Sequence, residues 1–133
     1  MARGLERHRE HQNALAALGK DLARRARSTC ELCEASGVPL HPYEVPPAPA
    51  EPELESCVLL CETCREQLDH PARRDANHWR CLNKSVWSQV TPVQVLAVRM
   101  LRELALRETW AAELLEQVYI TPEVQAWVEQ ASV

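Results

Sequence analysis

Apolar residues recur at helical spacing near both ends of the chain and form a short unbroken run in its middle. The N-terminal stripe of a helix predicted over residues 3–27 consists of Leu15, Leu18, Leu22 and Ala26. The middle run, Cys57 to Leu60, is typical of a buried strand, and a second short strand is predicted near residues 38–45. A proline-rich loop separates these two strands.

The remainder of the chain predicts helices. A short amphipathic helix is expected from Asn77 to Trp87. Three further helices are expected to start near Thr91, Thr109 and Thr121, each with its threonine as the N-cap. The helix after Thr91 has a broad apolar face made of Val93, Leu96, Ala97, Met100, Leu101 and Leu104. Such a face requires cover from neighbouring helices, from the middle of the chain or from a second copy of it.

Two Cys-x-x-Cys pairs, Cys30/Cys33 and Cys61/Cys64, are the strongest chemical signal. Four thiolates in two tight turns match the soft ligands and the tetrahedral coordination that zinc prefers. The second pair is expected in the first turn of a helix, where backbone amides favour thiolates. The alternatives are disulfides or buried apolar thiols. The sequence therefore predicts one structural Zn²⁺ held by these four cysteines, in a site with no open position for catalysis.

These elements predict a mainly α fold with a small zinc-stabilised β element. The finger is expected to be treble-clef or zinc-ribbon-like and flanked by helices. The order of first cysteine pair, strands and a helix that opens with the second pair favours the treble clef. We expect an N-terminal amphipathic helix over residues 1–28, a finger over residues 29–71 and a helical region over residues 72–133.

The uneven distribution of charge along the chain argues against nucleic acid as a partner. The formal net charge of −4 divides into +4 for residues 1–30 and −8 for residues 31–133. An acidic body repels a phosphate backbone, so nucleic-acid binding is disfavoured except through the basic N-terminal helix. Arg24, Arg25 and Arg27 are expected to complement the helix dipole there. Because the chain has no signal peptide and no apolar run that could span a membrane, a cytoplasmic protein is expected.

A second cluster of chemically capable side chains follows the finger: His78, Trp79, Arg80 and Asn83. They could form a small-molecule or anion pocket, with Arg80 as the charge anchor and Trp79 as an apolar wall. The favoured alternative is structural, with Trp79 in the core and with His78 and Asn83 capping backbone groups. No nucleophile with a base is evident, so no catalytic residue is assigned.

Other residues receive structural interpretations. Cys57 and Cys81 are expected to be buried thiols outside the metal site, and Trp87, Trp110 and Trp127 to be core or interface residues. Side chains expected to face solvent are His8, His11, Glu44, Glu51, Glu53 and Glu55.

Residues 30–95 resemble the PhnA-like proteins, a family named after the alkylphosphonate-utilisation operon. The resemblance rests on Cys-Glu-Leu-Cys at residues 30–33, Tyr-Glu-Val-Pro-Pro at 43–47, Leu-Cys-Glu-Thr-Cys at 60–64, Asn-His-Trp-Arg-Cys-Leu-Asn at 77–83, Val-Trp-Ser at 86–88 and Val-Gln-Val at 93–95. It implies an N-terminal zinc-binding domain with the four paired cysteines as ligands. The closed four-thiolate site predicts a non-enzymatic binding or interaction role, and the family name links that role to phosphonate utilisation. The β-rich C-terminal domain of longer members is not expected in this chain.

Two alternative functions remain open. The element order also resembles that of zinc-stapled HNH endonucleases, so a degenerate nuclease or another hydrolase could use His41 or His70. These two histidines do not reproduce the histidine positions of that family. The other alternative is a scaffold whose C-terminal helices drive homo-oligomerisation. The partner, whether a protein or a small molecule, is not identified by the sequence.

Overall fold

The computed structural model describes residues 2–133 of the chain. The helices are α1 Ala2–Ala17, α2 Gly19–Ala26, α3 Glu62–Asp69, α4 Leu82–Ser85, α5 Thr91–Leu104, α6 Thr109–Gln117 and α7 Pro122–Glu129. The strands are β1 Leu40–Glu44 and β2 Cys57–Cys61. Short 3₁₀ turns cover Leu54–Ser56, Pro71–Arg73 and His78–Cys81. The predicted fold class, mainly α with a small β element, is confirmed.

The two strands form an antiparallel hairpin whose register pairs Leu40 with Cys61 and Glu44 with Cys57. All five residues of β2 are buried, as the apolar run predicted. The reason is that β2 is covered on both faces. Val58 and Leu60 face the main core, whereas Cys57 and Leu59 pack with Leu22 of α2 in a smaller cluster.

The predicted single helix over residues 3–27 is wrong in one respect, because it is two helices. The chain breaks at Leu18, whose amide donates to the carbonyl of Leu15, and α2 begins at Gly19. Glycine is a poor helix former, which favours a break at this point. The break allows α2 to place Leu22 against β2, while most side chains of α1 stay exposed.

Helix α5 is the centre of the helical part, and every residue of its predicted apolar face is buried. The structure corrects two of the three predicted caps. The N-caps of α5 and α6 are Val90 and Glu108, one residue before the predicted threonines, because the carbonyls of Val90 and Glu108 accept from the amides of Gln94 and Ala112. Only Thr121 caps its helix, accepting a hydrogen bond from the amide of Val124 at 3.3 Å.

The segment from Asn77 to Trp87 is a 3₁₀ turn followed by the short α4 rather than one helix. Trp87 is 49 % exposed and does not lie in the core, so only the predicted place at an interface stays open for it. Trp110 and Trp127 are half-buried against the main core. Within residues 2–133, no helix combines the length and the hydropathy needed to cross a bilayer.

Candidate metal centre

The first cysteine pair lies in a tight turn that follows α2. Arg27 and Ser28 adopt left-handed conformations (φ of 55° and 59°), and the Ser28 amide donates to Ala23, which ends α2. Within the turn, Cys30 donates from its amide to Ala35 at 2.9 Å, and its carbonyl accepts from Glu34 at 2.8 Å. These hydrogen bonds point both sulfurs of the pair in one direction.

The second cysteine pair spans the junction of β2 and α3. Cys61 is the last residue of the strand and the N-cap of the helix, and Cys64 lies in the first turn. The Cys64 amide donates to the Cys61 sulfur at 3.5 Å. The positive end of the α3 dipole therefore faces these sulfurs and favours their thiolate form. The predicted position of the second pair on a helix start, as in a treble clef, is confirmed.

The four predicted cysteine ligands converge in space, with all four sulfurs within 4.8 Å of one another. Cys30 and Cys64 are separated by 3.7 Å, and Cys33 and Cys61 by 3.6 Å, sulfur to sulfur. A disulfide requires about 2.05 Å, so these are free thiols. A tetrahedron with zinc–sulfur bonds of about 2.3 Å has edges of about 3.8 Å. The observed spacing fits that coordination, and the cluster can hold one metal ion.

The electrostatics of the cluster also favour a cation. Hydrogen bonds from Cys33 and Cys64 lower the pKa of the Cys30 thiol well below its usual range. The same contact with Cys30 is the largest cause of a raised pKa at both Cys33 and Cys64. Because repulsion and burial oppose several charges in so small a volume, four thiolates require a cation among them.

A salt bridge that sequence reasoning missed supports the first turn. Glu31 binds Arg25 of α2 through two contacts, Nε to Oε2 at 3.0 Å and Nη2 to Oε1 at 2.7 Å. Glu31 also makes two hydrogen bonds with Leu59. Its carboxylate accepts from the Leu59 amide at 2.9 Å, and its own amide donates to the Leu59 carbonyl at 2.9 Å. The turn is thereby fixed to β2 in the register that brings the two cysteine pairs together.

Contacts of His78 and Trp79 connect the 3₁₀ turn to α3. Nε2 of His78 lies 3.3 Å from the Cys64 sulfur. Trp79 is fully buried, and its indole N–H donates to Gln67 at 2.8 Å. The predicted core role of Trp79 is confirmed. His78 was predicted to cap a backbone group, but it contacts a candidate metal ligand instead, because the turn packs against the cysteine-bearing face of α3.

The predicted ligand pocket is not assembled from all four of its residues. Arg80 and Asn83 line a cleft of about 330 Å³ beside Cys33, whereas Trp79 is sealed in the core. The Arg80 guanidinium lies 5.1 Å from the ring centre of Trp110, and Asn83 donates to the Arg80 carbonyl at 3.0 Å. Ligand binding in this cleft stays a prediction.

The other two cysteines lie outside the cluster. Cys57 is fully buried beside α2, and burial raises its pKa to about 11. Cys81 is half-buried rather than fully buried as predicted, because it lines the same cleft as Cys33. Burial raises its pKa to about 12.

The structure corrects two predicted solvent-facing side chains. Nε2 of His11 in α1 lies within hydrogen-bond distance, 2.7 Å, of the Glu44 carboxylate in β1, and the two side chains are 30 % and 16 % exposed. The Glu44 atom Oε1 is buried, without a hydrogen-bond partner among residues 2–133. The pair lies where α1 passes over the end of the hairpin. The two residues are 33 positions apart, so no periodic pattern along the chain could indicate this contact.

The histidines considered for hydrolysis do not form a second metal-binding group. His41 lies 3.4 Å from Glu62, and His70 is exposed after the end of α3. Within the described part of the chain, the four cysteines are the one group of three or more metal-binding side chains close enough to hold an ion.

Comparison with known proteins identified no matching family model, no matching curated protein and no matching solved structure. The resemblance to PhnA-like proteins therefore stays a prediction.

Proposed function

We propose that this chain is a zinc-binding protein in which one Zn²⁺, held by Cys30, Cys33, Cys61 and Cys64, has a structural role. The observation that carries the proposal is the convergence of the four sulfurs within 4.8 Å. Zinc is the ion of choice for four thiolates in tetrahedral arrangement. When bound, the ion would offset part of the negative charge of the thiolates and hold the two cysteine turns together.

A structural rather than catalytic role follows from the ligand set. Four protein ligands complete a tetrahedron and leave no position at which the ion could activate water. The ion would then serve to hold the finger, with β1, β2 and α3, in the conformation that packs against the other helices. We propose a non-enzymatic role in binding or interaction, consistent with the resemblance to PhnA-like proteins; the link to phosphonate utilisation rests on that resemblance alone.

Metal analysis of the purified chain tests this proposal. We expect one zinc per chain in protein prepared under reducing conditions, with X-ray absorption showing four sulfur neighbours. Cys64→Ser should lose most of the zinc, whereas Cys81→Ser, the matched change at a cysteine outside the cluster, should retain it. A wild-type content well below one zinc per chain, or an oxygen ligand in its absorption spectrum, would overturn the proposal.

A further inference from the structure

We propose that His78 is a positioning residue of the metal centre, donating a hydrogen bond from Nε2 to the Cys64 thiolate and thereby setting how tightly the ion is held. This inference rests on the proposed zinc-binding function and deepens it. The geometry that carries it is the 3.3 Å separation of His78 Nε2 and Cys64 Sγ.

The direction of the hydrogen bond follows from the chemistry of the sulfur. A metal-bound cysteine is a thiolate, which has no proton to donate and can only accept. Nε2 of His78 must therefore carry a proton, which fixes the tautomer of a neutral ring. The ring is half-buried, so this donor is partly shielded from water.

The position of the ring is fixed by its neighbours. The His78 ring meets Trp79 edge to face, with the ring centres 5.1 Å apart and the planes at 82°. Trp79 is fully buried and anchored to Gln67. Gln67 lies three residues after Cys64 on α3, so the two share a face of that helix. His78 and Trp79 are adjacent in the 3₁₀ turn and contact Cys64 and Gln67, one helical turn apart on α3. The Trp79 contact thereby aligns His78 with the Cys64 sulfur.

The charge of the centre explains why such a donor matters. Four thiolates and one dication leave a net charge of about −2 in a buried site. Within residues 2–133, His78 is the only side chain other than cysteine that lies within hydrogen-bond distance of any of the four sulfurs. The other nitrogen donors to the sulfurs are backbone amides, among them the Cys64 amide, which donates to Cys61 at 3.5 Å. Outer hydrogen bonds of this kind typically contribute 10- to 100-fold to metal affinity.

The experiment compares wild-type protein with three variants, each zinc-loaded and full-length. His78→Ala removes the donor, and His78→Gln retains an N–H group at a similar reach. His70→Ala is the matched control, because His70 is exposed and lies outside the cluster. Zinc affinity is measured by competition with a chromophoric chelator. In parallel, Co²⁺ replaces Zn²⁺ so that the sulfur-to-metal charge-transfer bands report on the thiolates, and circular dichroism checks folding.

We expect His78→Ala to bind zinc about tenfold more weakly and to shift the charge-transfer bands while keeping the intensity of four thiolate ligands. His78→Gln should recover most of the affinity and the band position, and His70→Ala should match wild type. If His78→Ala does not fold, His78→Gln alone decides, because a donor role requires near wild-type affinity from it.

Unchanged affinity and bands in His78→Ala would overturn the role of His78, as would a wild-type spectrum with three thiolates and a nitrogen ligand. Failure of the parent proposal is separable from both, because wild-type protein would then bind less than one zinc per chain.

Discussion

Arg25 and Glu31 form a mostly buried ion pair that joins helix α2 to the first cysteine turn. Their side chains are only 20 % and 6 % exposed. Arg25 also donates to the carbonyls of Leu54 and Cys57, at 3.1 Å and 2.7 Å. One guanidinium thus contacts the cysteine turn, the segment that precedes β2 and the first residue of β2. The pair fixes the position of the finger relative to the N-terminal helices.

Arg25→Met should destabilise the zinc-loaded protein by about 2–4 kcal/mol, because it leaves the Glu31 carboxylate buried without its counter-ion. The measurement is denaturant unfolding followed by circular dichroism. Arg24→Met is the matched control: Arg24 lies 3.8 Å from Asp21, and both side chains are more than half exposed. Exposed pairs contribute little, so the control should change stability by less than about 1 kcal/mol. Equal effects from the two variants would contradict the proposed importance of the buried pair.

The sequence predicted features that depend on local spacing, and it missed those that depend on packing between distant segments. The cysteine pairs were identified because two ligands in one turn leave a signature within four residues. The apolar face of α5 was identified because its period is that of a helix. Both signals lie within a short window of sequence, so they do not depend on how the rest of the chain folds.

Arg25 and His11 show why other features were missed. Arg25 follows Leu22 by three positions and Leu18 by seven, so it falls on the apolar stripe of α2. A charge within an apolar stripe indicates a buried partner, and this signal could have been used. It does not reveal that the partner is Glu31. The contact of His11 with Glu44 joins α1 to β1 across 33 positions of the chain, which is farther than any local periodic pattern extends.

Gln67→Met should cost about 2–3 kcal/mol, because the side-chain oxygen Oε1 of Gln67 accepts from the indole N–H of Trp79 and from the amide of Asp75, both at 2.8 Å. Methionine has similar volume but no acceptor, so a buried indole N–H and a backbone N–H lose their partner. Thermal unfolding monitored by tryptophan fluorescence measures the change. Gln117→Met, at the exposed end of α6, should stay within about 0.5 kcal/mol of wild type. A Gln67→Met protein as stable as this control would show that the Trp79 anchor is unimportant.

Cys57 should make the protein less stable at alkaline pH. Its pKa rises from an ordinary value of 9.0 to about 11 in the folded protein because the thiol is buried. A folded-state pKa above that of the unfolded chain gives a contribution that is complete below about pH 9 and is lost as pH rises towards 11. Two pKa units correspond to about 2–3 kcal/mol. Cys57→Val has no ionisable thiol at this position and therefore lacks this pH-dependent contribution to stability.

The measurement for Cys57 is the difference in unfolding free energy between wild type and Cys57→Val from pH 8 to about 11. Because both proteins keep the four candidate ligands, pH effects on the metal centre cancel in the difference. We expect wild type to lose stability relative to the variant across that range. A difference independent of pH would show that the Cys57 thiol ionises equally easily in the folded and unfolded states.

Removal of zinc should destabilise the helices as well as the finger. Val58 and Leu60 of β2 share one core with Leu96 and Met100 of α5, so the division between residues 29–71 and 72–133 predicted from the sequence is crossed by packing. Binding of structural zinc contributes about 10 kcal/mol or more to folding in small metal-dependent domains. Once a strong chelator removes the ion under reducing conditions, hydrogen exchange should accelerate in α5 together with β2 and α3. Exchange that accelerates in residues 29–71 while α5 stays protected would show two independent units, each with a core sufficient for its own stability. Readdition of Zn²⁺ should restore protection in all three elements, because the ion stabilises the folded state in proportion to its binding free energy.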